Sequence, residues 1–473
     1  MSREGRLAKN TFILGIGTFL PKFASFITLP ILTGCLTQEE YGIYDLITVL
    51  VSLILPAVTL QIQTAAFRFL IDQRANRDET KRIITNIFAF VIPTSMAALV
   101  VLFFCIPGQS VIIKLWICAY FFSDILVSSA RQITRGLENN LHYSISAIIS
   151  ALGKLAFAVV GVWYLKAGLL GAVIALCLAS VCSLVYLIVK ERLFSYFDAA
   201  LIHKAVLKAL LGYSWPMVPN SMSMWVMRVS DRLIVTFFMG VSANAVYSVA
   251  NKIPSILTIA QSTFTMAWQE NASVVSKDTD ADAYYTSMFR TMYDLMAGFF
   301  GILIAATPIL FAILIRRDYG EAYYQIPILF LAMFFFSMSS FLGGIYVAYK
   351  ATRSVGITTM AAAACNLIVD VAAIQWIGLY AASGSTLVSY IFLFLFRLTD
   401  VQKFIHLEFN AGHLLAVQMI MLAECCLCFQ QNLIANIINA GIGIMMFFML
   451  NKSFVRSTLK LVYKVVQKKR NKA

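Results

Sequence analysis

The sequence predicts an all-α, polytopic membrane protein of about 14 transmembrane helices, and three observations carry that prediction. Apolar residues fill 60% of its 473 positions and charged residues only 13%. Mean hydropathy is +0.80. Runs of roughly 18 or more apolar residues recur from end to end, each long enough to cross a hydrocarbon core of ~30 Å.

The first six expected spans are Asn10–Gly34, Gly42–Leu70, Ile83–Ile106, Val111–Ala130, Tyr143–Leu165 and Gly168–Val189. The next six are Leu210–Gly240, Asn244–Gln269, Met288–Ile315, Tyr323–Tyr349, Val355–Ile377 and Ala381–Leu398. Leu414–Gln430 and Leu433–Leu450 complete the set. An even number puts both termini on one side. Lys and Arg in short loops mark the cytoplasmic face. One side collects Arg3, Arg6 and Lys9, then Arg74, Arg77, Lys81 and Arg82, then Arg131 and Arg135, and the basic tail. The other side has little beyond Lys114, Lys166, Arg316 and Arg317, the last two being the exception to the rule. Both termini are therefore expected inside the cell, and the acidic loop around Lys277 and Asp280 with them. External loops are short, such as 107–110 and 240–243, and no cleavable signal peptide is expected at the N-terminus.

A weak internal repeat accompanies this pattern. Tyr44 and Tyr247 open spans two and eight, while Gly168 and Gly378 precede similar sequences at spans six and twelve, at nearly the same offset. Two halves of this kind with a site between them are a transporter signature. The expected organisation is a six-helix bundle over 1–190, a linker over 191–209 and a second six-helix bundle over 210–404. Two additional helices over 405–451 and a basic tail over 452–473 complete it.

The net charge of +14 lies largely in loops and tail. It serves orientation and contact with anionic membrane lipids, not nucleic acid. The nine cysteines fall mostly in apolar runs. Cys425 and Cys428 form a C-x-x-C with no second pair at zinc-ribbon spacing, so an apolar packing role is expected, with no metal and no cofactor. No P-loop, G-x-S-x-G or H-E-x-x-H motif occurs, and Asp280-Ala-Asp282 reads as a solvated acidic loop. An enzyme is not expected.

Charges inside the spans carry the functional reading. Tyr213–Gly240 is apolar yet holds Arg228, Asp231 and Arg232 at helical spacings that share one face. A charge at the centre of a membrane helix costs about 2.5–3.5 kcal/mol. Asp231 can offset part of that by pairing, which leaves two cations against one anion. Lys22, Asp45, Arg68, Asp124, Lys154, Lys252, Asp294, Asp370 and Glu424 also fall within spans. Lys22 lies beside Pro21 well inside the first span, Lys154 mid-span in the fifth, and Asp370 deep in the eleventh. A cationic interior cavity built from Lys22, Lys154, Arg228 and Arg232, with Arg68 nearer the cytoplasmic end, suits a phosphate-bearing ligand, since a guanidinium fork matches phosphate oxygens. Asp231 and Asp370 are candidates for a coupling proton or sodium ion.

The stretch NTFILGIGTFLPKFASFITLPILTGCLTQEEYGIYDL at 10–46 resembles the first hairpin of bacterial polysaccharide biosynthesis proteins. These are the Wzx-type oligosaccharide flippases of the multidrug/oligosaccharidyl-lipid/polysaccharide exporter superfamily. SDRLIVTFFMGVSANAVYSVANKIPSIL at 230–257 and AWQE at 267–270 continue the likeness. The resemblance implies a MATE-like fold of two six-helix bundles working by alternating access in the bacterial cytoplasmic membrane. It implies an undecaprenyl-pyrophosphate-linked oligosaccharide as cargo, moved from inner to outer leaflet, and polysaccharide assembly machinery as a partner. Two rivals stand beside it. A MATE-type antiporter of organic cations would favour an acidic cavity. A membrane polysaccharide polymerase or ligase would bring a sizeable external loop with acid/base residues.

Overall fold

The computed structural model describes the backbone of residues 3–452 apart from 74–75, 107, 256, 277, 317–318 and 350, together with residue 456. The side chains of Lys22 and Arg228, and the tail beyond 456, lie outside the described residues.

The described residues fold as helices. In chain order they are α1 (Arg3–Cys35), α2 (Gln38–Thr59), α3 (Ile62–Gln73), α4 (Arg77–Cys105), α5 (Val111–Gly136) and α6 (Asn140–Ala158). A π-helical turn, Val159–Tyr164, prolongs α6. Then come α7 (Gly168–Glu191), α8 (Lys204–Ser214), α9 (Met217–Met239), α10 (Val241–Ser255), α11 (Leu257–Val275) and α12 (Ala281–Ala305). The last are α13 (Thr307–Leu314), α14 (Gly320–Ala348), α15 (Thr352–Ile377), α16 (Leu379–Asp400), α17 (Ala411–Phe429) and α18 (Leu433–Leu450).

Eleven of the described helices are long and apolar enough to cross a membrane, against the 14 expected. Among the described residues the apolar part of α1 that enters this count is Phe19–Cys35. Three charges interrupt the apolar run of α9, and residue 256, which separates α10 from α11 in the eighth expected span, lies outside the described residues.

Side-chain caps set several helix starts. Asn76, Ser110, Asn410 and Asn432 each accept from a backbone N–H of the first turn of α4, α5, α17 and α18, satisfying donors the helix itself cannot. Gly168 and Gly378 both take positive φ, 54° and 57°, at the starts of α7 and α16. The conformation that glycine alone enters freely thus recurs at the two positions the repeat matched.

Two compact units form. One holds residues 1–248 with 315–318, the other 249–314 with 319–473. In the first, α5 packs on α3, α4 and α7, and α6 on α7. In the second, α14 packs on α11, α12 and α16, and α15 on α16. The same pairing scheme is therefore built twice. The first core is largely aliphatic, with Ile84, Ile87 and Val91 of α4 against Ile125 and Ile133 of α5. The second is aromatic. Phe330, Phe334, Phe341 and Tyr346 of α14 are buried with Tyr285, Phe289 and Tyr293 of α12, and Trp268 of α11 stacks on Phe341 at 4.2 Å between ring centroids.

Candidate functional site

In the first unit the site grows from the segment Thr37–Asp45. Thr37 and Glu40 form a reciprocal capping box at the start of α2. The other carboxylate oxygen of Glu40 accepts from the Leu169 N–H at 3.1 Å, so one side chain caps α2 and α7 together. A methyl group on Gly42 would sit 2.2 Å from the Val241 carbonyl oxygen. Only glycine lets α2 approach the α9–α10 junction that closely. Three residues further on, Asp45 is 1% exposed and takes two contacts from Arg232 Nη1, at 3.0 and 3.2 Å.

That ion pair departs from the sequence reading, in which Asp231 was the available anion. Asp231 instead accepts from the Tyr247 hydroxyl of α10 at 2.8 Å. The charged face of α9 is thus divided, Arg232 turning to α2 and Asp231 to α10. The physical reason is packing. Gly42 brings α2 close enough for Asp45 to reach α9, whereas residues adjacent on one helix turn diverge around its axis. Arg232 is 15% exposed, and its Nε has no hydrogen-bond partner among the described residues.

Span two was expected as one helix, but it breaks. Leu60 and Gln61 take φ of 45° and 58° between α2 and α3, a conformation costly for side chains with a Cβ. The break is lined by polar groups. Gln61 Nε2 donates to Ser221 Oγ of α9 at 3.2 Å, Thr64 Oγ1 to the Gln61 carbonyl at 2.7 Å, and Trp225 Nε1 to Ser52 Oγ at 3.0 Å. Positions 221, 225, 228 and 232 follow one helical stripe, so the polar break and the ion pair share a face of α9. Irregular backbone at membrane depth is tolerated where protein or water satisfies it. Pro56 followed by Gln61, Gln63 and Thr64 was the available signal in the sequence.

The remaining candidates separate. Lys154 on α6 stands over the Tyr120 ring of α5 at 5.8 Å and within electrostatic reach of Asp124 and Arg131. Asp124 accepts from Ser180 of α7 at 3.3 Å. Arg131, expected in a cytoplasmic loop, lies inside α5. It donates to the Ser146 hydroxyl and carbonyl at 2.9 and 3.0 Å and to Ser183 at 3.1 Å, a knot tying α5 to α6 and α7. Arg68 is exposed on α3. In the second unit Asp370 is fully buried on α15. One turn earlier Asn366 donates to Ser385 of α16 at 3.4 Å. Arg397 of α16, also buried, donates to Thr358, Thr359 and the Ser339 carbonyl.

Two clefts accompany these groups. One, about 440 Å³, runs along the apolar side of α2 past Ile47, Leu50 and Ile54 to Leu102, Ile117 and Phe121. The other, about 750 Å³, lies in the second unit between Arg290 and Asp294 of α12 and the Glu408–His413 segment. Neither is lined by Arg232 or Lys154.

Repeated helix pairing, a broken helix and charges held inside apolar segments define a multi-pass helical membrane protein with the architecture of the multidrug and flippase transporters. Solved structures of that architecture match. One is described as lipid II flippase MurJ in an inward closed conformation. It is 14% identical with a TM-score of 0.70, over 95% of this chain and 100% of that one. An inward-facing multidrug resistance MATE family transporter of the MOP superfamily is 11% identical with a TM-score of 0.67, over 83% of this chain and 95% of that one. An outward-facing one is also 11% identical, with a TM-score of 0.52 over 84% and 95%. At such identities the likeness is one of fold. No curated protein matches in sequence. Residues 7–269, more than half of the chain, match the family described as polysaccharide biosynthesis protein, and the chain belongs to that family.

Proposed function

We propose that this protein moves a lipid-linked oligosaccharide, attached through a phosphate or pyrophosphate, from the inner to the outer leaflet of a bacterial cytoplasmic membrane. It works by alternating access of two six-helix halves, with both termini cytoplasmic. The single observation that carries the reading is the polar stripe of α9. It sets Arg232, whose Nε–H has no partner among the described residues, and position 228 on the face that meets the broken segment of α2 and α3. Membership of a polysaccharide biosynthesis family supplies the glycan, and the fold shared with a lipid II flippase supports a lipid carrier.

In this reading Arg228 and Arg232 engage the phosphate oxygens, with Lys22, Lys154 and Arg68 extending the positive field. Asp45 holds Arg232 in place while cargo is absent. Asp231 and Asp370 are the candidates for a coupling proton or sodium ion, Asp370 because it is buried one turn from the Asn366–Ser385 bond. The protein is a transporter, not an enzyme, and its partners are membrane lipids and polysaccharide assembly machinery.

The test is leaflet distribution. Depletion should leave lipid-linked oligosaccharide on the inner leaflet, and the wild-type chain should clear it. Arg228→Lys should clear it partially, Arg228→Ala less, and Arg228→Asp not at all, each at normal protein abundance, because charge and fork geometry contribute separately. Full clearance by Arg228→Asp would reject the cationic site. Export of organic cations with no effect on the glycan lipid would favour an antiporter.

A further inference from the structure

The last two helices carry a buried acid that the transport reading leaves unused. Glu424 of α17 is 0% exposed, and neither of its carboxyl oxygens has a hydrogen-bond partner among the described residues. It points into a seam made by glycines of two other helices. A methyl group on Gly301 of α12 would lie 2.9 Å from Oε2, and one on Gly443 of α18 would lie 3.0 Å from Oε1. Glycine at both positions is what leaves room for a carboxyl group there. One turn before Gly443, Asn439 donates Nδ2 to the Glu424 backbone carbonyl at 3.0 Å, while its own Oδ1 finds no donor among the described residues. These groups bring three acceptor oxygens to the seam, none of which meets a donor among the described residues.

The described groups on the surrounding elements do not supply one. On α12 the nearest titratable side chains are Tyr293 and Asp294, two turns from Gly301 or about 10 Å along the axis. Tyr293 donates to the Leu414 carbonyl, and Asp294 contacts His413 at 2.7 Å. On α14, Tyr323 bonds to Cys428, and the Pro327 carbonyl accepts from Cys425. Cys428 Sγ turns to the Ile304 carbonyl of α12, and Cys426 is exposed. Between Leu433 and Leu450, α18 contains no ionisable residue. An anion at Glu424 would be buried without a counter-charge, which proteins avoid by neutralising the group. An undissociated carboxylic acid supplies the missing donor and removes the charge in one step.

We propose that Glu424 is a proton-binding site, at which an undissociated carboxylic acid locks the α17–α18 hairpin onto α12. Binding of the proton closes the seam, and its loss places an uncompensated charge among three helices and loosens the hairpin. The inference does not rest on the nature of the cargo, and its test involves no transport.

Infrared spectroscopy of the full-length protein in lipid vesicles separates the carbonyl stretch of an undissociated carboxyl group from the bands of a carboxylate. At neutral pH the wild-type minus E424Q spectrum should contain one undissociated carboxyl band, which is lost as the pH is made alkaline. Thermal stability should follow the same course. Wild type should lose stability as rising pH strips the proton, whereas E424Q, a neutral isostere, should hold it. If E424Q does not fold, E424D should keep a carboxyl band at a shifted frequency, and that variant then decides. Carboxylate bands for Glu424 at neutral pH would overturn the proposal. So would parallel loss of stability in wild type and E424Q, or displacement of the carboxyl band by sodium at constant pH.

Discussion

Removing Asp45 puts the Arg232 contact to its most direct trial. Asp45→Asn keeps the side-chain volume and leaves a guanidinium that is only 15% exposed facing a neutral amide instead of a carboxylate. Breaking a buried pair by deleting one partner costs about 3–5 kcal/mol, because the surviving charge stays desolvated. At 1.4 kcal/mol per factor of ten, the middle of that range is roughly a thousandfold loss in the folded-to-unfolded ratio. Arg232→Gln alone should cost a similar amount through the stranded Asp45. The double change removes both charges and should cost less than either single change, so the coupling in the cycle should exceed one single loss. The measurement is unfolding of the purified protein in detergent or vesicles, alongside its abundance in the membrane. Asp231→Asn is the control. Its carboxylate bonds to Tyr247, so it should not rescue Arg232→Gln. Equal rescue by Asp231→Asn and Asp45→Asn would refute the pairing, as would additive losses in the Asp45/Arg232 double variant. Transport supplies the second readout. If Arg232 also binds cargo, the stable double variant should still fail to clear inner-leaflet glycan lipid.

Cysteines introduced at Gln109 and Ser242 should react with an impermeant thiol reagent in spheroplasts, and one at Asp280 only after permeabilisation; external labelling at position 280 would invert the expected topology. Asp370→Asn should impair transport in reconstituted vesicles more than Asp280→Asn, because only Asp370 is buried within a span; equal, near-normal rates would remove it from the coupling candidates. Gly42→Ala should lower thermal stability by about 1–3 kcal/mol, the usual range for overpacking, since its methyl would meet the Val241 carbonyl oxygen at 2.2 Å; an unchanged melting temperature would show that α2 can move away at no cost.

Much of the architecture was legible from the letters alone. Helices need only local hydrogen bonds, and a bilayer demands long apolar ones, so α4, α5, α7 and α14 to α18 fall close to the runs that hydropathy marks, whereas the ninth expected span, Met288–Ile315, is divided between α12 and α13. Gly168 and Gly378 marked the repeat because positive φ is a property of a single residue. The Thr37 to Asp45 motif was visible as letters and opaque as chemistry. Glu40 caps a helix more than a hundred residues away, and Gly42 matters only through its clearance to Val241.

The sequence by itself determined that this chain is a helical, multi-pass membrane protein with charges it cannot leave in lipid, because hydropathy and desolvation are summed along the chain. Only the tertiary structure decided which charge meets which. Asp45 took Arg232 from Asp231, Arg131 left its expected loop for a part-buried knot of hydrogen bonds, and span two broke at Leu60 and Gln61. Electrostatic pairing is resolved over ångströms, and the helices that bring Asp45 within 3.0 Å of Arg232 are 187 residues apart in sequence. No spacing rule along one chain encodes that distance; the packing of α2 against α9 does.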